Sequence, residues 1–457
     1  MDRETFRRLA ANRVLLLDGA TGSNLLRAGM PAGICAETWI LEHPGAILDL
    51  QGAYAEAGSQ IIFAPTFSAN AIALKERRVD VPVGELNRRL VELSRQAVGD
   101  RTLVAADMTM TGKSLLPSGT LTFDGLVDCY GEQAAALAES GVDLFVVETM
   151  VSLQEMRAAV LAIRRCCDLP ILASFTVDEN GFTFLGTEVT AAALVLERLG
   201  VDAVGVNCSM GPEQMLPVVK KLRKATALPV IAKANAGMPR QENGGVVYPM
   251  DEGQYTAHAA ALVEAGVNLL GGCCGTTPEF IRSMREMLTE RGLYIPLDHG
   301  GLDMGGSILG GETNRSEESG GGRLQAPYLA TDRKRFALDQ VTSLSRAGCV
   351  SDNPELIQCL CRGAYEDVVD ELGDLDEGQI LLVELDGLGP DVGNILEPFV
   401  AQLSASGMPV CFSASSLSVL EQALRYYCGI AAVQFSGKPD DEAVRRINKY
   451  GAVICEL

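Results

Sequence analysis

The chain has 457 residues, enough for two or three domains and for a large core that needs no disulfide staples. Hydrophobic residues make up 47% and charged residues 21%, a globular composition. A formal net charge of -21 sets nucleic acid and anionic membrane aside as partners, and no run of apolar residues is long enough to predict a transmembrane helix.

The N-terminal stretch, MDRETFRRLAANRVLLLDG, carries charge at once and does not read as a signal peptide. The chain holds 13 cysteines, an odd number scattered along its length. Both features predict a reducing, cytoplasmic setting, where clustered thiols are candidate metal sites.

Short aliphatic runs then recur, each followed by a helical pattern. The predicted strands are VLLLD (14–18), QIIFAPT (60–66), LVAAD (103–107), DLFVVE (143–148), ILASFT (171–176), DAVGVNC (202–208), PVIAKAN (229–235) and VNLLGGCC (267–274). Segments such as LVLERLG (194–200) place apolar residues at helical spacing between them. Alternating strands and helices imply an α/β fold with a parallel sheet. Eight such units predict a (β/α)8 TIM barrel over residues 1–296. A doubly wound open sheet is the alternative, but DGATGS (18–23) lacks the G-x-G-x-x-G loop expected after its first strand. Residues 297–326 are Gly/Ser-rich and predict a flexible linker. Residues 327–457 resume the pattern as a smaller α/β domain resembling half a barrel. Its four predicted strands are ILLVEL (380–385), PVCFS (409–413), IAAVQF (430–435) and AVICE (452–456). With 10 basic and 20 acidic residues, this is the more acidic part per residue.

A TIM barrel carries its site where the strands end at their C-terminal side. The predicted ends hold Asp18, Thr66, Asp107, Glu148, Ser174, Asn207–Cys208, Asn235 and Cys273–Cys274. Three cysteines at one rim are the sharpest signal. Glycines on both sides of Cys273–Cys274 let the chain bend so that both thiols can face one point. Three thiolates with an open fourth position suit a catalytic zinc, which deprotonates a sulfur ligand that joins it. Buried structural thiols are the plainer alternative, and a vicinal disulfide is disfavoured in a reducing compartment. Asp18 and Glu148 end apolar strands and need a cationic partner, which a substrate ammonium supplies; helix capping by Asp18 or structural pairing of the carboxylates is the alternative. Backbone amides of the turn at Gly19 and Ala20 are candidates to hold the matching substrate carboxylate. The three histidines, His43, His258 and His299, fall away from the strand ends.

The stretches LLLDGATGSNL, AGSQIIFAPTFSANAIAL, FVVETM, VGVNCSMGP, AKANAGMP and VNLLGGCCGTTPEFI occur in order over residues 13–285. On these the chain resembles the homocysteine S-methyltransferase family, and most of all the homocysteine-binding zinc barrel of cobalamin-dependent methionine synthases. The resemblance implies transfer of a methyl group to homocysteine to give methionine. It implies Zn2+ on Cys208, Cys273 and Cys274, and the homocysteine amino group on Asp18 and Glu148. Asn235 falls where the family has a side chain able to fill the open zinc position. Pro65 departs from the Asn usual in the synthases near Thr66. The acidic domain resembles a truncated, degenerate pterin-binding barrel, in which Leu382, Glu384, Ser413 and Gln434 stand where the synthases carry an Asp and an Asn that contact the pterin, so an assembly role is expected and not a folate site. No length is left for a cobalamin module, so the expected donor is methylcobalamin on a separate corrinoid protein. A sulfonium donor of the S-methylmethionine type and a non-catalytic scaffold are the alternatives. A four-stranded unit leaves an apolar face for the first barrel, a second copy of this domain or a corrinoid protein to cover, and a homodimer through the C-terminal domain is the simplest symmetric solution.

Overall fold

A computed structural model describes residues 1–242, 245–297, 328–337, 343–345, 354–372, 375–376, 379–388, 392–435 and 439–455. The predicted linker, apart from residue 297, lies outside the described residues.

Eight parallel strands form the first unit: β1 (Leu15–Leu16), β2 (Ile61–Phe63), β3 (Leu103–Met108), β4 (Leu144–Met150), β5 (Ile171–Phe175), β6 (Ala203–Asn207), β7 (Val230–Ala234) and β8 (Val267–Gly272). They are ordered β1-β8-β7-β6-β5-β4-β3-β2, and a parallel bridge between Leu17 and Ile61 closes the circle. Both faces of every strand are buried, which is why each reads as an unbroken apolar run. Alternation divides the residues. Leu15, Leu17, Ile61, Phe63, Ala105, Leu144, Val146, Leu172, Ala203, Ile231 and Leu269 form the interior cluster, joined by Phe6, Leu9 and Ala10 of the first helix. Their neighbours, such as Leu16, Ile62, Val104 and Val147, belong to the larger core shared with the surrounding helices. A small antiparallel hairpin, Arg240–Glu242 with Gly245–Val247, follows β7.

The acidic domain departs from expectation. Its parallel sheet has five strands among the described residues: Ser343–Ser345, Gln379–Glu384, Val410–Ser413, Ala432–Gln434 and Val453–Ile454, in that order. The extra strand, SLS, is too short and polar to show a period. Glu384, Ser413 and Gln434 are register partners across three adjacent strands, while Leu382 is buried.

The first barrel, one of the covering surfaces expected, meets this domain. The C-terminal end of helix Leu417–Tyr426 meets helices Phe123–Glu139 and Leu153–Cys166, with the Tyr426 ring edge-on to Phe123 at 6.2 Å. Arg157 is fully buried there and donates to the carbonyls of Leu424 (3.1 Å) and Arg425 (3.3 Å). Asp124 pairs with Arg425 (2.6 Å) and accepts the Tyr426 hydroxyl (2.8 Å). Asp124→Ala removes both charged bonds. It should cost about 1–3 kcal/mol, seen as a lower urea midpoint; an unchanged midpoint would make the contact incidental. No helix among the described residues is long and apolar enough to cross a membrane.

Candidate metal centre

The three rim cysteines meet. The Sγ atoms of Cys208, Cys273 and Cys274 lie within 4.8 Å of one another, with Cys208 and Cys274 at 4.0 Å. Among the described residues this is the group of three or more such side chains able to hold a metal ion. Metal–sulfur bonds of about 2.3 Å in a tetrahedron place sulfurs roughly 3.8 Å apart, so a small closure of the triad completes the shell. Strand β7, between β6 and β8, fixes all three by backbone bonds. Cys208 N–H donates to Lys233 O (2.9 Å), Cys273 N–H to Ala234 O (2.7 Å), and Ala236 N–H to Cys274 O (2.9 Å). Beyond Gly272 the strand ends, and Gly275, at φ +85°, completes the turn that brings both vicinal thiols round. A side chain there would strike the Tyr248 ring.

Hydrogen bonds from Cys208 and Cys273 hold the Cys274 thiol down to about 3. Donation to Cys208 and Cys274, together with burial, pushes the Cys273 thiol well up. Cys208 is raised as well, to about 11, so the triad is one thiolate, Cys274, accepting from two thiols, and a soft cation at their common point would displace the remaining two protons.

Below the thiols lies a buried charged cluster that includes a residue missed in the sequence. Lys233 of β7 points into the barrel, 2.9 Å from Asp18 Oδ1 and 3.8 Å from Glu148 Oε2, with its Nζ 3.6 Å from the centre of the Phe63 ring. Burial works to discharge it, but Asp18 and Glu148 outweigh burial and hold it protonated, above its ordinary value. Room for its stem comes from Gly271, where a Cβ would sit 3.1 Å from Lys233 Cγ. The signal was available: Ile231 faces inward, so period two turns Lys233 inward as well.

The carboxylates therefore have an internal cation, the structural pairing that stands as the alternative to a substrate ammonium. Asp18 is satisfied by Lys233 and by the Phe63 N–H (2.8 Å). Asp107 joins the cluster, making three carboxylates around one lysine. Burial and then the charge of Glu148 push Asp107 well above the usual carboxylate range. Burial also raises Glu148, against the pull of Lys233. Asp107 Oδ1, Glu148 Oε2 and Asn235 Oδ1 are buried with no hydrogen-bond partner among the described residues. Such atoms are costly unless a ligand meets them.

Two predicted contacts are otherwise engaged. The Thr66 hydroxyl donates to Asp107 O (2.8 Å) and accepts from Asp107 N–H (3.1 Å), tying β2 to β3. The Ala20 N–H donates to Thr276 Oγ1 (3.1 Å), so that amide is not on offer to a substrate carboxylate. Gly19 is needed for close approach, since a Cβ there would lie 2.6 Å from the Tyr54 hydroxyl.

Residues 15–288 match the family model for homocysteine S-methyltransferase. The chain belongs to the homocysteine S-methyltransferase family. It is 31% identical over 291 residues to the methionine synthases of Mycobacterium leprae (strain TN) and Mycobacterium tuberculosis (strain ATCC 25618 / H37Rv), covering 60% of this chain and 24% of each relative. The chain thus matches about a quarter of the length of these relatives. The barrel fold is shared with the metallated form of the homocysteine methyltransferase MmuM from Escherichia coli, at 22% identity and a TM-score of 0.51, over 61% of this chain and 98% of that one. In this member of the family, all three thiols and both predicted carboxylates stand at one barrel mouth.

Proposed function

We propose that the chain is a zinc-dependent homocysteine S-methyltransferase forming methionine, with Cys208, Cys273 and Cys274 as zinc ligands. One observation carries this reading: a thiol triad suited to a soft metal adjoins a buried cluster whose three carboxylates outnumber its one lysine. A substrate that fits both carries a sulfur and an ammonium a few bonds apart, as homocysteine does. When bound, zinc on three thiolates takes up a further thiol in its deprotonated, nucleophilic form.

Glu148, whose Oε2 lies 3.8 Å from Lys233 but accepts no hydrogen bond, is the principal seat of the ammonium, with Asp18 and Asp107 beside it. Asn235 is 2% exposed and also has a free acceptor, which supports it as the side chain that fills the open metal position before substrate arrives. Glu148→Gln should leave zinc content unchanged. It should weaken homocysteine binding ten- to a hundred-fold, the loss of about 1.5–3 kcal/mol for a charged hydrogen bond. Titration calorimetry showing unchanged affinity would remove Glu148 from this role.

For the donor, we favour methylcobalamin carried by a separate corrinoid protein over a small sulfonium. The loops after β5 and β7 expose Phe182, Phe184, Leu185, Met238, Val246 and Val247, Phe184 at 93%. Apolar surface of this kind suits a macromolecular donor and is superfluous for a small one. Residues 1–296 are read as the catalytic unit, 297–326 as its linker and 327–457 as a pterin-binding-like unit. The deciding experiment offers zinc-loaded protein and homocysteine four donors: free methylcobalamin, a methylated corrinoid protein, methyltetrahydrofolate and S-methylmethionine. Methionine from the corrinoid protein is expected; methionine from none of them would overturn the enzymatic reading.

A further inference from the structure

Strand β4 breaks register where it carries Glu148. Val147 pairs with Ala173 and Met150 with Phe175, so Glu148 and Thr149 together oppose the single residue Ser174. This is a β-bulge, a device that re-aims a side chain and leaves a backbone amide without its ladder partner. Thr149 sits at φ +61°, a left-handed conformation that a β-branched residue adopts only when held there.

Asn207 holds it. This residue ends β6, is fully buried, and directly precedes Cys208. Its Oδ1 accepts the Thr149 N–H (2.9 Å) and the Ser174 hydroxyl (2.8 Å). Its Nδ2 donates to Thr149 Oγ1 (2.8 Å). One carboxamide therefore satisfies the orphaned amide of the bulge and engages the residue opposite it. The next residues, Cys208 and Ser209, are themselves left-handed at φ +62° and +56°. The Thr109 hydroxyl anchors the Glu148 carbonyl (2.8 Å) from the other side.

We propose that Asn207 is a positioning residue that latches the Glu148 bulge to the Cys208 turn. It thereby fixes the distance between the ammonium seat and the metal ligand. This rests on the ammonium role proposed above for Glu148. The latch selects for thiols whose ammonium lies at one set distance from sulfur.

The test compares homocysteine with 4-mercaptobutanoate, which is homocysteine without its amino group, by titration calorimetry on the zinc-loaded full chain. The readout is the ratio of the two affinities, with zinc content measured alongside. Wild type should favour homocysteine. Asn207→Ala should cut that preference by about tenfold or more, as loss of orientation does, while 4-mercaptobutanoate binds as before. Adding Thr149→Gly to Asn207→Ala should recover part of the preference, because glycine accepts the left-handed conformation unaided. Ser174→Ala and Thr149→Ala, which each remove one bond of the latch, should lower the ratio a few-fold, and they carry the test if Asn207→Ala does not fold. A full ratio in Asn207→Ala, or in both single-bond variants, overturns the proposal. Wild-type protein that does not distinguish the two thiols shows instead that the ammonium role of Glu148 has failed.

Discussion

Cys273→Ser should give a folded protein that no longer retains zinc through dialysis. Its metal affinity should fall by more than the roughly 10–100-fold that loss of outer-shell support costs a site. A serine hydroxyl is a poor replacement for a thiolate on a soft, borderline metal, and it leaves two sulfurs where three are needed. The fold should survive because the site sits above the core. The interior cluster and the helix-packed core are complete without it, and a barrel this size does not depend on a metal for its stability. Cys129→Ser is the control, since Cys129 is buried at a distance from the triad, near Asn70. It should keep one zinc per chain. Metal analysis combined with X-ray absorption on Cys208→Ser, Cys273→Ser and Cys274→Ser settles the assignment. Stoichiometric zinc with a three-sulfur shell in each would show that these thiols are structural.

The barrel was legible because its strands are buried on both faces and so stand out as apolar runs; all eight fall within the predicted segments or within two residues of them. The thiol rim was legible for a related reason, since glycines mark where β8 stops being a strand. Other features rest on contacts that sequence order hides. Thr66 and the Ala20 amide look available until Asp107 and Thr276 are seen to use them. The Glu148 bulge depends on Asn207, 58 residues away from Thr149. Lys233 is not a strand-terminal residue: a barrel interior continues two residues below its rim, and there the inward position is marked only by the period of the strand.

Lys233→Met tests that interior most severely. Removing one partner of a buried ion pair costs about 3–5 kcal/mol, because the charge left behind has no water and no counter-ion. Here Asp18, Glu148 and Asp107 would remain, all nine-tenths or more buried. Methionine matches the lysine stem in length, so the loss is one of charge rather than packing. Asp18 and Glu148 already titrate above the ordinary carboxylate range with Lys233 present, and without its attraction they rise further. A carboxyl whose folded value is raised holds its proton more tightly folded than unfolded. Its contribution is therefore most favourable below the unfolded value and is lost as pH climbs through the folded one. The deficit of Lys233→Met against wild type should accordingly be greatest at pH 8 and shrink as pH falls toward 5. Urea unfolding across that range measures it. Pairing the change with Asp18→Asn should return part of the stability, because an amide needs no counter-ion and its oxygen can still accept the Phe63 N–H. If Lys233→Met proved as stable as wild type at pH 8, the lysine would not be the counter-ion of this pocket, and the carboxylates would have to be protonated and paired with one another instead.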